Sequence, residues 1–289
     1  MLSILIPVYN YSVAPLVAKL HIQLVQSGIP FEIIVMEDGS TDIFAENKDL
    51  ENLPFVQYSI LPQNIGRAAI RNKLADNALY DNLLFIDCDA DVDDSNYIKN
   101  YLPYLDKNIV VVGGVKYSPQ TVSSENTALR LKYGIIREER NNYFTTFNFL
   151  TPKVIFQKIR FNETISGYGY EDTFFGAELE NSGVTILYIQ NKLVHTGIDE
   201  NAVFLKKVET GIENLYTLYS SKKYPFFCKT SKILRLFVKV ERLRLTGVFR
   251  TLTGIFSNIV RKNILGKNPS LFLFDVYKFH ILCKIAKNY

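Results

Sequence analysis

The run Leu83-Leu84-Phe85-Ile86 passes directly into Asp87-Cys88-Asp89-Ala90-Asp91, so four apolar residues lead into three carboxylates at every second position. A short apolar run reads as a strand buried on both faces, and open α/β sheets bind ligands at the C-terminal ends of such strands. Asp87 and Asp89 fixed there repel each other unless a cation lies between them. Mg²⁺ and Mn²⁺ prefer carboxylate oxygen, and Mg²⁺ fills its other positions with substrate phosphates. The stretch therefore reads as a metal–diphosphate site. Its rival is a solvated acidic turn, since Asp93, Asp94 and Ser95 follow at once.

Other residues could join such chemistry. Arg67 and Arg71, four apart in Asn64-Ile65-Gly66-Arg67-Ala68-Ala69-Ile70-Arg71-Asn72, project from one face near a helix start. Helix N-termini attract anions and guanidinium forks match phosphate oxygens, although a surface arginine pair fits the same spacing. Glu37-Asp38-Gly39-Ser40-Thr41-Asp42 is an acidic turn whose plainer role is helix capping. In Ser166-Gly167-Tyr168-Gly169-Tyr170-Glu171-Asp172, two glycines alternate with tyrosines ahead of two acids at an expected helix start. The dipole favours acids there in any protein. The chemical alternative is a general base flanked by Tyr168 and Tyr170, whose flat faces suit a sugar ring in a chain without Trp. His195, in Val194-His195-Thr196-Gly197, follows a strand end, where a neutral imidazole suits a Mn²⁺-like ion already held by carboxylate.

The elements that must position these residues follow from hydrophobic pattern. Strands are expected over residues 3–8, 31–36, 55–60, 83–86, 109–115, 144–150 and 184–189, with helices carrying Leu16, Leu20 and Leu24, then Tyr97, Tyr101 and Tyr104, then Val154, Ile155 and Phe156 after Pro152. Residues 116–142 read as a helix-containing excursion. The β-α-β alternation predicts a mostly parallel sheet.

Composition narrows the class. A 47% hydrophobic and 21% charged chain of 289 residues has ample material for a core. Cys88, Cys228 and Cys283 show no paired spacing, which supports neither a disulfide framework nor a zinc ribbon and favours a reducing cytosol. No secretory leader or spanning segment is expected from the N-terminal residues or the hydropathy. Residues 1–221 carry 18 Lys and Arg against 27 Asp and Glu, a net of −9, whereas residues 222–289 carry 15 against 2, a net of +13. Within that basic tail a helix from Ser231 to Lys262 is expected, with Leu245, Val248, Phe249, Leu252, Ile255, Phe256 and Ile259 on one side and Arg235, Lys239, Arg242, Arg250 and Arg261 on the other. A second is expected from Ser270 to Tyr289, with Phe272, Val276, Phe279 and Ile285 apolar and Lys278, Lys284 and Lys287 basic. Basic amphipathic helices suit an anionic membrane surface. The alternative is packing on the acidic catalytic body, and no motif accompanies the charge to suggest nucleic acid.

In this order, Ile4-Leu5-Ile6-Pro7-Val8-Tyr9-Asn10, the EDGSTD turn, NIGRAAIRN, FIDCDAD, GYGYEDTFFGAELENSG and LVHTG resemble glycosyltransferase family 2, the inverting enzymes of the GT-A fold. The resemblance covers residues 2 to about 197. Its last part is most similar to galactosyl- and N-acetylgalactosaminyltransferases with a GWGGED-type motif. The resemblance implies an α/β, Rossmann-like GT-A domain over residues 1–200, with a mostly parallel central sheet flanked by helices and a basic helical C-terminal region over 201–289. It implies transfer of a hexose or N-acetylhexosamine from a UDP-sugar to a glycan or lipid-linked saccharide, with Mn²⁺ or Mg²⁺, on the inner face of the cell membrane. By the same resemblance Asp38 would bind uracil, and Pro7, Tyr9 and Asn10 would line the nucleotide cleft. Asn64 and Arg67 would join the donor site, Arg71 would approach the base or diphosphate, and Asp87 the ribose and metal. Asp89 would be the principal metal ligand, His195 a later one, Asp172 the catalytic base, and Tyr168, Tyr170 and Glu171 would meet the acceptor. Glu37 departs from the usual DDGS turn, Tyr168 and Tyr170 stand for Trp and Gly, and Asp91 could assist Asp87. A catalytically silent sugar-nucleotide-binding or membrane-scaffold protein would share the fold. A nucleotidylyltransferase would need a Gly-rich N-terminal phosphate loop that the chain lacks.

Overall fold

The computed structural model describes residues 1–118, 124–140, 142–165 and 167–287. In chain order the elements are β1 (Leu2–Val8), α1 (Ala14–Ser27), β2 (Phe31–Glu37), α2 (Ala45–Lys48), β3 (Val56–Ile60), α3 (Arg67–Asn77), β4 (Asn82–Ile86), β5 (Ala90–Asp91), β6 (Val110–Val112), β7 (Val115–Lys116), α4 (Ala128–Tyr133), β8 (Asn148–Pro152), α5 (Lys153–Lys158), α6 (Glu171–Asn181), β9 (Ile186–Tyr188), β10 (Leu193–His195), α7 (Asn201–Ser220), α8 (Lys232–Arg242), α9 (Thr246–Ile255), α10 (Ser257–Ile264) and α11 (Leu271–Ile285). The larger sheet has the order β3-β2-β1-β4-β8-β6-β9, and a smaller one has β5-β10-β7. In the larger sheet neighbours pair in parallel except β8, which runs antiparallel to both β4 and β6, and in the smaller sheet β10 runs parallel to β7 and antiparallel to β5.

Every residue of β2 and β4 is buried, which is why their sequences are near-continuous apolar runs. Polar residues inside this layer have partners. Ser3 lies opposite Glu32 across β1 and β2, and its hydroxyl donates to Glu32 Oε1 at 2.6 Å, which also accepts the Leu79 N–H at 2.6 Å. Phe85 stacks on Phe149 at 4.8 Å and on Phe156 at 5.1 Å, so β4, β8 and α5 share one aromatic core.

Two compact units are distinguished by contact density. One comprises Met1–Ser118, Asn141–Thr164 and Glu178–Gly197, and the other Pro119–Arg140, Ile165–Ala177 and Ile198–Tyr289. The first holds both sheets. The second is helical, and its core gathers Phe174, Ile212, Leu215, Phe227, Leu234 and Phe237 with Phe279 and Leu282 of α11.

Several elements differ from the sequence expectation. Residues 97–104 form turns and a single 3₁₀ turn at Leu102–Tyr104 in place of a helix. Pro103 interrupts the pattern, and the hydroxyls of the buried Tyr97 and Tyr101 reach across to Asn148 Oδ1. The expected strand over 109–115 splits between the two sheets at Gly113-Gly114. Gly114 has φ 87°, and a Cβ on Gly113 would collide with Asn148 and Tyr101. The strand expected over 144–150 begins at Asn148. In the excursion, residues 119–123 and 141 lie outside the described residues, and the rest includes α4. The single helix expected from Ser231 to Lys262 is three helices, broken at Leu243-Arg244-Leu245, where Arg244 takes φ 58°, and at Phe256. The second expected helix is α11, with positions 288 and 289 outside the described residues. Its apolar side chains turn inward at Phe274, Tyr277, Phe279, Leu282 and Cys283. Among the described residues no helix is long and apolar enough to cross a membrane.

Candidate active site

The first unit brings the ends of β1 and β2 together through side-chain bonds. Asn10, at φ 50°, accepts the N–H groups of Thr41 and Asp42 on Oδ1 at 2.8 and 3.1 Å, and its own N–H donates to Ser40 Oγ at 3.0 Å. Asn10 thus clamps the loop after β1 onto the loop after β2. Glu37 is fully buried and accepts from Asn47 at 3.0 Å, from the Tyr58 hydroxyl at 3.1 Å and from Ser40. Burial, and then the charge of Glu37, push the Tyr58 phenol well up. Glu37 is therefore the hub of this turn. Asp38, also buried, accepts Ile65 N–H on Oδ1 at 2.7 Å and Gly66 N–H on Oδ2 at 3.0 Å. A carboxylate has about four lone-pair sites, so acceptor capacity remains. Gly39, at φ 63°, lies against the backbone of Gln63 and Asn64 so closely that no side chain fits. These contacts fix the segment entering α3. Pro7 is half-buried at the end of β1, and Tyr9 and Asn64 are exposed.

At the end of β4 the two acids part company. The Asp87 N–H donates to the Phe147 carbonyl at 3.0 Å, and its side chain turns to the arginines of α3. Arg71, 2% exposed, donates from Nη2 to Asp87 Oδ1 at 2.5 Å, and Arg67 Nη2 stands 3.8 Å from Oδ2. Arg71 Nη1 also donates to the Arg67 carbonyl at 3.0 Å, and its guanidinium lies 5.7 Å from the Phe161 ring centre.

Asp89 sits one step before β5, which pairs antiparallel with β10 so that Ala90 lies opposite His195. This places Asp89 Oδ2 3.6 Å from His195 Nε2. Thr196 N–H and hydroxyl donate to the Asp89 carbonyl at 2.9 and 2.7 Å, and Tyr11 OH contacts Thr196 Oγ1 at 2.9 Å. The imidazole lies between two rings, Phe147 at 5.1 Å and 6° and Tyr117 at 5.5 Å and 15°. Burial pushes the Cys88 thiol up, helped by the charges of Asp89 and Asp87, so it stays protonated between them. Asp91 points elsewhere, bonding Lys19 at 2.5 Å. Tyr11, Thr196, Tyr117 and Phe147 were not singled out by sequence. Thr196 and Tyr11 adjoin motif residues, whereas Tyr117 and Phe147 reach His195 only through sheet topology.

A carboxylate oxygen and an imidazole nitrogen so close have the chemistry of a divalent-metal donor pair. No cluster of three or more His, Cys, Asp or Glu side chains suited to a metal occurs among the described residues.

The second unit holds the other motif. Tyr170, at φ 70°, takes a backbone conformation rare outside glycine, and Gly169, at φ 99°, passes so close to Gly211 of α7 that a Cβ would lie 2.9 Å from its Cα. The Tyr170 ring packs edge-on against Phe227 at 6.4 Å. Burial pushes its phenol up to about 12, with a bond to Ser231 opposing and the charge of Asp172 adding. Glu171 is buried and accepts Gly169 N–H at 3.0 Å. Asp172 is half-buried, and its Oδ1 accepts the N–H and hydroxyl of Thr173 at 2.6 and 3.2 Å. Tyr168 carries Lys207 Nζ 5.2 Å from its ring centre.

The sequence model of Glycosyl transferase family 2 matches residues 3–163. No curated protein matches the chain by sequence. Among solved structures, Staphylococcus aureus TarS residues 1–349 is 16% identical, with a TM-score of 0.52 over 100% of this chain and 92% of that one. Its complex with UDP gives 17% identity and a TM-score of 0.52 over 100% and 90%. The mannosyltransferase PcManGT from Pyrobaculum calidifontis, in complex with GDP-Man and Mn²⁺, is 13% identical, with a TM-score of 0.58 over 99% and 86%.

Proposed function

The chain belongs to glycosyl transferase family 2, and from that premise we propose that it transfers a hexose or N-acetylhexosamine from a UDP-sugar to a hydroxyl of a glycan or lipid-linked saccharide, with inversion. Its fold is the GT-A arrangement of a mostly parallel sheet flanked by helices, and it is a glycosyltransferase. The observation that carries the proposal is the pair Asp89 and His195, 3.6 Å apart beside the Arg71–Asp87 ion pair. The UDP of one TarS structure and the GDP-Man and Mn²⁺ of PcManGT support a nucleotide-sugar donor and a divalent ion. The Gly167–Asp172 segment supports the likeness to GWGGED-type galactosyl and N-acetylgalactosaminyl relatives. Tyr170 holds a left-handed backbone where those relatives carry Gly.

Asp89 and His195 would hold Mn²⁺ or Mg²⁺. When bound, such an ion neutralises the charge that grows on the departing diphosphate. Arg67 approaches the donor phosphates, while Asp87 keeps Arg71 oriented. Asp38 and Asn10, fixed by their loop contacts, border the nucleotide with Pro7, Tyr9 and Asn64. Asp172 takes the proton of the acceptor hydroxyl as its oxygen bonds to the anomeric carbon and the bond to the diphosphate breaks. Tyr168, Tyr170 and Glu171 shape the acceptor side. A panel of UDP-sugars, with GDP-mannose as control, tests this by Mn²⁺-dependent thermal stabilisation and donor hydrolysis. At least one UDP-sugar is expected to do both. No response to any nucleotide sugar, with or without Mn²⁺, would sink the proposal.

A further inference from the structure

A helix on the surface of a water-soluble protein turns its apolar stripe toward the core. α9 does the reverse. None of its residues is buried. The side it lays against α11 includes Thr253, whose hydroxyl lies 2.8 Å from His280 Nδ1, and Gly254, where an added Cβ would lie 3.5 Å from the His280 ring. Phe249 alone of its large apolar side chains makes a ring contact there, edge-on to Phe279 at 5.7 Å. Val248, Leu252 and Ile255 remain exposed, and the row continues through Phe256 to Ile259 of α10. Each of these five is between 52% and 67% exposed, as is Leu243 just before α9. The opposite side of α10 is anchored, with Val260 and Ile264 in a core with Phe204 and Phe274.

Charge accompanies this row. Leu243 stands between the exposed Arg242 and Arg244, and Arg261 and Lys262 follow Ile259 at the far end. Lys232, Arg235, Lys239 and Lys267 are also exposed, and the only acid from residue 232 to 267 is Glu241, which accepts the Tyr219 hydroxyl. An exposed apolar patch rimmed by polar groups marks an interaction surface. Two copies meeting through this face would bring like charges together, and a nucleic acid would use the cations but leave the apolar row in water. A bilayer interface with anionic headgroups satisfies both, because apolar side chains enter the acyl boundary while cations stay at the headgroups.

We propose that Leu243, Val248, Leu252, Ile255, Phe256 and Ile259 form a membrane-docking ridge for anionic lipid, with α11 as the platform beneath α9. α11 is held by its buried Phe274, Tyr277, Phe279, Leu282 and Cys283, and of its large apolar side chains Phe272, in the first turn, is exposed. The ridge is independent of the sugar-transfer chemistry.

The test is co-sedimentation of the full chain with vesicles of phosphatidylcholine alone and with phosphatidylglycerol added to about one third. The wild type is expected to favour the anionic vesicles by at least ~10-fold, with binding that weakens as salt rises. The double variant Ile255→Asp, Ile259→Asp changes only exposed positions and is expected to lose at least ~10-fold of that binding with an unchanged melting temperature. Its donor hydrolysis in vesicle-free buffer should match the wild type, which separates this result from any failure of the transferase proposal. Three outcomes overturn the ridge. These are no binding or equal binding of the wild type to both vesicles, full binding by the double variant, or a wild-type dimer that the variant abolishes without any vesicle partition, which would give the face to a second copy.

Discussion

The turn after β4 and the first turn of α6 each present a pair of acids, and in each pair the two carboxylates have different partners. Asp87 is turned to a buried guanidinium, while Asp89 next to β5 meets His195. Glu171 is buried and ties the Gly169 N–H, while Asp172 is half-buried and bonded to its own neighbour Thr173. In both motifs one acid holds the local backbone or a cation in place, and the other stays accessible. A cluster of acids in a sequence thus divides by the partner each carboxylate takes, one serving as a fastening and the other being the group to which the proposed chemistry is given.

The sharpest way to break that division is Asp172→Asn. Loss of a general base costs ~10²–10⁴ in rate, so turnover should fall by that order with donor-induced thermal stabilisation unchanged. Near-normal turnover would remove Asp172 from the role. Asp89→Ala comes next. It should abolish the Mn²⁺ dependence of donor binding, measured by calorimetry with and without the ion, while leaving the melting temperature of the free protein nearly untouched. Unchanged Mn²⁺ dependence would count against Asp89 and His195 as the donor pair.

The fastenings were harder to read from sequence than the reagents. The runs of β1, β2 and β4 were legible because strands buried on both faces need continuous apolar residues. The helix start at Glu171 was legible from its acids. Arg71 suggested a phosphate ligand, and nothing in the spacing disclosed that its partner is Asp87, sixteen residues on, because that pairing depends on α3 packing on β1, the strand beside β4. The rings around His195 come from Tyr117 and Phe147, which only the order of strands brings together. Tyr97, Tyr101 and Tyr104 suggested a helix, and long-range bonds to Asn148 overrode that local pattern. In the tail the apolar stripe was legible, but its break at Arg244 was not, since a positive φ at arginine leaves no compositional trace.

Among the fastenings, Asp87→Ala should have the larger effect on stability. It leaves the Arg71 guanidinium, 2% exposed, without its carboxylate, and removing one partner of a buried pair costs about 3–5 kcal/mol. Denaturant unfolding should show that loss, and a variant as stable as the wild type yet unable to bind Mn²⁺ and donor would move Asp87 from fastening to ligand.

Glu171→Gln is the finest probe. Glutamine keeps an acceptor for the Gly169 N–H but removes the charge that strengthens the bond and complements the N-terminus of α6. The loss expected is about 1 kcal/mol, since a neutral hydrogen bond remains. Turnover should be retained, and its pH profile should keep the shape seen in the wild type, because Asp172 still carries the proton. If Glu171→Gln instead abolishes transfer while Asp172→Asn only lowers stability, the two acids have exchanged roles and the assignment of base within this motif is reversed.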